Sequence, residues 1–440
     1  ERRRPAGWPG GVPPPLPGTA GETPASQPAR TPALHYNPRR MNLADIRSHF
    51  PALARTHNGQ PVAYFDAPGG TQVPRVVAEA MTDYLFHHNA NTHWPYPTSA
   101  ETDAIITNAR EAVADLLHAR ADEIAFGANM TTLTFHLART LGRTWSEGAE
   151  VIVTELDHHA NIAPWRALSI DRNIVVRSAR MDRETSQLDY EHLASLVNQN
   201  TKLIAVGAAS NAIGTINDLQ RVAKIARDAE VYLFVDAVHL APHELIDVEA
   251  IGCDFLACSS YKFYGPHAGI LWGRHALLDT LPFPKLAPAP DRAPERVETG
   301  TQNHEAIAGI AATVEFLASL GDSGNTRRER LASGYASLHN AGLQLTQQLW
   351  DGLSAIPKVR IFGPPPTQPR TPTVSFTVDG MSCDDVARKL AESAIFASSG
   401  DFYATTVCDR FGVESLLRVG CACYTSEDEV ARLIAAVAAL

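Results

Sequence analysis

The chain has 440 residues, 45% of them hydrophobic, enough to bury a large core spread over two or three structural units. A formal net charge of −10 leaves no electrostatic footprint for nucleic acid or for an anionic membrane surface. No apolar run is long enough to span a bilayer, and six cysteines without a CxxC pair fit a reducing, cytoplasmic setting.

Residues 1–40 are rich in Pro, Gly, Ser and Arg and are expected to be disordered, an extension ahead of the first globular patterning at Met41. They lack the basic-then-apolar layout of a secretory signal, and their Pro and Gly content is poor for the amphipathic helix of an organelle transit peptide. Residues 41–73 are expected to form an N-terminal segment that packs on a small C-terminal domain.

From 74 to 280 helix and strand alternate. Helices are expected over 74–87, 103–118, 132–142 and 218–229. Strand-like apolar runs are VIVTE (151–155), NIVVRS (173–178), KLIAVGA (202–208), VYLFVDAV (231–238), DFLACSS (254–260) and AGILWG (268–273). Near-continuous apolar runs of this length suit a sheet buried on both faces, and strands separated by helices argue for a mostly parallel one. Residues 74–305 are therefore read as a large α/β domain.

Several strand ends carry polar residues with chemical potential. EIAFGANMTTLTFHLARTL (123–141) reads strand, polar turn, helix. A helix start at Asn129, Met130 and Thr131 offers backbone N–H groups to a phosphate, although an ordinary helix cap explains the same residues. ELDHHANIAPW (155–165) places His158, His159 and Asn161 after a strand. No HExxH or Cys-rich spacing supports zinc, and a histidine face stacked on an aromatic cofactor is the better reading. Asn211 follows KLIAVGA, where an amide hydrogen-bonds a phenolic oxygen or simply makes a turn. Asp236 ends an apolar strand, where a carboxylate is costly unless paired. Lys262 follows DFLACSS. An Asp and a Lys at two strand ends of an open α/β sheet can face one pocket, as a buried ion pair or as the two grips on a pyridoxal-5'-phosphate (PLP) ring.

A long helical region follows at 305–353, then a proline-stiffened linker at 362–372. Residues 306–440 as a whole read as the long helix and a small α+β domain, its last part running strand, helix, strand, helix. Cys421 and Cys423, two apart, are expected to share one strand face in core packing.

In this order the segments resemble the class V aminotransferase family, which includes the cysteine desulfurases and selenocysteine lyases. The likeness spans residues 60–440 and rests on AYFDAPGGTQVP, the His-His-x-Asn-x-x-Pro-Trp run, SNAIGT, VDAVH and SSYKFYGPHAG. It implies the fold type I of PLP-dependent transferases: a mostly parallel central sheet flanked by helices, with a small C-terminal α+β domain. It also implies that Lys262 is the Schiff-base lysine, that Asp236 pairs with the pyridine nitrogen and that His158 stacks over the ring. Asn211 then approaches the ring oxygen, and His239 stands where the family usually has a glutamine near that oxygen. Asn129, Met130, Thr131, Ser259 and Tyr261 surround the phosphate. The family is dimeric, and Thr301 resembles the threonine lent to the neighbouring subunit's phosphate. Arg418 matches the arginine that grips the substrate α-carboxylate, for which a bidentate guanidinium is suited. No metal is implied.

The chain departs from the family in two places. The usual Gly-Ala-Thr-Glu phosphate turn reads Asn129-Met130-Thr131-Thr132. The flexible-loop cysteine of the desulfurases follows Gly-His-His, whereas SSGDFYATTVCDRFG (398–412) puts Tyr403 in the cysteine's place and Cys408 five positions on. Both resemble the subgroup usually labelled cysteine-desulfurase-like. The resemblance implies a PLP-dependent lyase or transferase acting on a small amino acid through an external aldimine and a Cα carbanion. With Tyr403 shaping the pocket or acting as an acid, β-elimination from cysteine or a derivative ranks first. Transamination, epimerisation, true desulfuration through Cys408, and a PLP-binding protein without turnover are the rivals.

Overall fold

A computed structural model gives the fold, and the structure describes residues 42–440. The disorder expected for residues 1–40 lies outside the described residues. The apolar runs of the central region assemble into one seven-stranded sheet: β1 (Ile124–Gly127), β2 (Glu150–Thr154), β3 (Val175–Ala179), β4 (Thr201–Gly207), β5 (Tyr232–Asp236), β6 (Phe255–Ser259) and β7 (Gly269–Gly273). Their order is β1-β7-β6-β5-β4-β2-β3. The runs without a polar face, β2, β6 and β7, are buried along their whole length, while β3 at the edge alternates exposed and half-buried residues.

β2 to β6 pair in parallel, joined by helical crossovers, and β7 lies antiparallel between β6 and β1. The mostly parallel sheet read from the sequence is the one observed. The exception has a simple cause: the connection over residues 260–268 is shorter than the dozen or so residues a parallel crossover needs. Because β1 runs with β6, the carboxyl ends of β1, β2, β4, β5 and β6 share one edge of the sheet.

The helical region expected over 305–353 is two helices, α2 (His304–Ser319) and α3 (Arg327–Ser354), following α1 (Met130–Gly142) in the labels used below. Gly321 and Gly324 lie in the break. A Cβ at Gly321 would collide with the Arg330 carbonyl, and Gly324 has φ +117°. The helix expected from 103 starts at Pro97, because proline's fixed φ and missing N–H suit a first turn.

Residues 359–440 form an antiparallel sheet, β8 (Val359–Phe362), β9 (Thr373–Val378), β10 (Ser398–Gly400) and β11 (Leu416–Gly420), in the order β8-β9-β11-β10. Its core joins Leu345, Leu349 and Leu353 of α3 to Val374, Phe376, Leu417, Val419 and Leu433. The N-terminal segment leans on this unit: Ala63–Tyr64 pair in parallel with Ile395–Phe396, and Arg47 bridges Glu429 at 3.0 Å. The 362–372 linker is clasped rather than free. Arg370 is 4% exposed, donates to the carbonyls of Pro364, Ile213 and Thr373, and lies over Trp350. Cys421 and Cys423 do not share a strand face, because β11 stops at Gly420; Cys421 is in the small-domain core and Cys423 packs beside the large one. No helix among the described residues is long and apolar enough to cross a membrane.

Candidate active site

A cleft of about 550 Å³ opens at the shared carboxyl edge of the central sheet. Residues just beyond β1, β2, β4, β5 and β6 supply most of its wall, which is where open α/β sheets gather ligands. Asn129, Met130, Thr131, His158, Asn211, Asp236, His239, Ser259, Tyr261 and Lys262 all line it. Arg418, Tyr403 and Thr301 do not.

The turn after β1 shows two functions in one segment. Asn129 serves as the cap of α1: its Oδ1 accepts the Thr132 N–H at 2.9 Å in a reciprocal capping box. Its side chain is thus committed to the helix. The Met130 N–H donates to Ser259 Oγ at 3.0 Å, tying the turn to the end of β6. The N–H of Thr131, at the second helical position, has no carbonyl a turn back within the helix to reach, so it and the positive end of the helix dipole are open to an anion. Gly269 of β7 packs directly on the Asn129 backbone, with no room for a Cβ. Gly269→Ala is expected to push the turn outward, at a cost of about 1–3 kcal/mol, and to weaken phosphate-ligand binding; thermal melting and ligand titration check it.

Lys262 follows β6 in a single short turn (Ser260–Lys262) and lines the same cleft. Its Nζ donates to the carbonyls of Pro68 (2.6 Å) and Gly69 (2.9 Å), residues of the AYFDAPGG motif. Burial pulls its amine down to about 7, with the Arg418 charge adding to the effect and Asp236 opposing it. A partly neutral lysine amine at neutral pH is a nucleophile and a base. Asp236 is the last residue of β5. Burial pushes its carboxyl up to about 6, opposed by the Val238 N–H and the Lys262 charge. Only Oδ1 is hydrogen-bonded, by Val238 at 3.0 Å, so the other oxygen is free for a ligand proton.

His158 lies just beyond β2 in the same cleft. Burial, then the Lys262 and Arg418 charges, lower it to about 4, so its ring is neutral. Its Nδ1 accepts the Ala160 N–H at 3.0 Å, which leaves the proton on Nε2. Tyr403 lies against this ring, with centroids 5.6 Å apart. His239 is fully buried and held well below its ordinary range by that burial. Its Nε2 is 3.1 Å from both the Thr371 and the Thr373 hydroxyls, so one ring edge is anchored to the small domain.

Asn211 donates from Nδ2 to the Phe402 carbonyl at 2.9 Å, and its Oδ1 is buried without a partner. Arg418, in the middle of β11, is 4% exposed and donates to the Asn211 carbonyl at 2.8 Å. Thr301 is exposed on the segment leading into α2. Cys408 lies on the short helix α4 (Thr405–Phe411), 3% exposed, within the main hydrophobic core. Burial raises its thiol to about 11.

Four residues escaped the sequence reading. Asp157 accepts N–H bonds from Thr154 (3.0 Å) and Gly207 (2.5 Å), stitching the ends of β2 and β4; burial lifts it to about 7. Its place beside His158 at a strand end was the available signal. His267 lines the cleft and stacks on Tyr261 with centroids 4.8 Å apart. Asp66, in the quoted AYFDAPGG motif, is the acid that faces Arg418. Phe402 covers the Arg418 guanidinium, a contact without local sequence signal.

The residues present fit PLP. A buried carboxylate with one free oxygen, a lysine amine in the same cleft, an unpartnered amide oxygen at Asn211 and a helix N-terminus facing a serine are the donor set that such a ring and its phosphate require.

The family model described as "Aminotransferase class-V" matches residues 63–433. Among curated proteins, the chain is similar to a cysteine desulfurase of Dickeya dadantii (strain 3937), 30% identical over 418 residues, covering 91% of this chain and 97% of that protein. It is 32% identical over 406 residues to a cysteine desulfurase of Serratia proteamaculans (strain 568), covering 89% and 96%. Among solved structures it resembles the apo structure of cysteine desulfurase from Thermococcus onnurineus NA1, with a TM-score of 0.80, 27% identity, and 89% and 96% of the two chains covered.

Proposed function

The chain belongs to the class V aminotransferase family of PLP-dependent enzymes, and from that premise we propose that it eliminates the β-thiolate of cysteine or of a cysteine S-conjugate. When bound, PLP supplies an electron sink for the pair left behind by the Cα proton. The rest is work for the chain. Asp236 holds a proton at the ring nitrogen with its free oxygen. Lys262 would hold the cofactor, and its amine, near neutrality, would be suited to take the Cα proton. His158, neutral and flat, covers the ring without adding charge. Thr131 and Ser259 hold the phosphate, and Arg418 orients the α-carboxylate.

The observation that carries elimination is the place of the thiols. Sulfur abstraction, the activity in the relatives' names, needs a cysteine that meets the substrate sulfur. Among the described residues no cysteine lines the cleft, and Cys408 is packed in the core with its thiol held protonated. In elimination the Cα–H and Cβ–S bonds break, the thiolate leaves, and water takes up the remaining fragment as pyruvate and ammonia. Transamination and epimerisation share the first proton transfer, and no residue of the cleft favours them over loss of thiolate.

A homodimer in a reducing, cytoplasmic setting belongs to the same proposal. The exposed position of Thr301 and the six free cysteines support it. The test is product analysis of the holoenzyme with L-cysteine and its S-conjugates. Pyruvate and the thiol or sulfide are expected in equal amounts; alanine as the carbon product would overturn elimination. Cys408→Ser is expected to leave the product ratio unchanged while losing about 1–3 kcal/mol of stability, because a hydroxyl replaces a thiol in an apolar core.

A further inference from the structure

Arg418 is not open to the cleft. Its guanidinium carbon lies 3.9 Å from the centroid of the Phe402 ring, close enough for a face-on cation–π contact. Of its N–H edges, Nη1 is bonded to the Asn211 carbonyl, and Nε is buried without an acceptor. An unpartnered buried N–H is a donor in want of an oxygen, which an aromatic ring cannot supply.

The turn that seats the ring is tied to the cleft's own residues. Asn211 Nδ2 holds the Phe402 carbonyl at 2.9 Å, and the His159 N–H holds the Tyr403 carbonyl at 2.6 Å. The backbone opposes these ties. Phe402 has φ +54° and Tyr403 φ +55°, a region that side-chain-bearing residues avoid because Cβ crowds the carbonyl. Gly400, at φ +131°, supplies a joint that only glycine adopts freely. Opening the turn therefore releases two strained residues and costs two hydrogen bonds and one ring contact.

We propose that Phe402 is a built-in competitor for the substrate carboxylate: its ring occupies Arg418 in the resting chain, and an amino acid gains the guanidinium only when the 400–403 turn swings the ring away. The proposal rests on the reading of Arg418 as the carboxylate residue. A ligand without a carboxylate does not displace the ring, so the device weakens α-amino acids and leaves simple amines untouched.

The holoenzyme, titrated with L-alanine and with ethylamine and followed by the cofactor's absorbance, tests it. Phe402→Ala and Phe402→Leu are expected to tighten L-alanine about five-fold and to leave ethylamine unchanged. Leucine fills the volume but has no ring face, so agreement of the two variants separates competition from packing. Equal or weaker binding of L-alanine by both variants would overturn the competitor. Arg418→Lys is expected to weaken L-alanine about ten-fold with ethylamine unaffected. If that variant binds L-alanine like wild type, the reading of Arg418 fails, not the turn alone.

Discussion

Replacing Lys262 with alanine is expected to reduce turnover by about a thousandfold or more, the scale set by losing both a covalent anchor and a positioned base. The chemical signature is more decisive than the rate. Borohydride reduction of the loaded wild type should leave the cofactor's mass on the peptide containing Lys262, and the variant should carry none. A mass gain on another lysine would remove Lys262 from its place. The pH dependence has a defined sign. Burial and the Arg418 charge bring the Lys262 amine down to about 7. Only the neutral amine attacks an aldehyde, so capture of PLP by the apo chain should accelerate as pH rises through about 7 and level off above it. An unperturbed lysine would keep accelerating to pH values near 10.5.

Asp236→Asn is expected to cost turnover about a hundred- to a thousandfold, because an amide keeps the shape but cannot hold a proton at a ring nitrogen. Stability of the apo chain should move the other way. The buried carboxyl keeps its proton until about pH 6 when folded and loses it near 3.8 when unfolded. Its folded value is raised, so the stability it contributes is present below about pH 4 and is lost as pH climbs through 6. The asparagine has no such loss. Above pH 6 the variant should melt higher than wild type without cofactor, and the two should converge in acid. PLP should protect the wild type against heat more than the variant. A variant equally unstable and equally active would reduce Asp236 to a packing residue. Opposite signs for stability and turnover are what a strained functional position predicts.

Lys262, Asp236, His158, Asn211 and Ser259 were legible because each is a polar residue at the end of an apolar run. A strand end in a parallel sheet has a known direction, so local pattern alone puts these residues at one edge. Asn129 was legible as a helix start, with both readings open. The structure gives its side chain to the cap and the Met130 N–H to Ser259, leaving the Thr131 N–H as the helix-start donor. The break between α2 and α3 was missed although the polar run Gly321-Asp-Ser-Gly-Asn-Thr326 carries a loop signal and ends on the Thr326 cap of α3, because the apolar pattern on both sides was read as one continuous region. The helix α4 is too short to show a period, so nothing in the sequence said which way Cys408 turns. Val407, Cys408 and Phe411 all turn inward, and that decides against a thiol in the cleft.

The sequence by itself determined the strands of the central sheet, that most run parallel, and which cofactor chemistry the strand ends can support, whereas β8 and β10 of the small domain were not expected from it. These follow from neighbours along the chain: apolar runs must be buried, and polar residues at their ends must meet something. Only the tertiary structure decided which side chains meet across distance. The Asp66–Arg418–Phe402–Asn211 arrangement draws on four separate segments, and the charges that move Lys262 and His158 come from residues far away in sequence. Coulomb interaction and desolvation depend on spatial separation and on excluded water, and neither quantity is written in the order of residues.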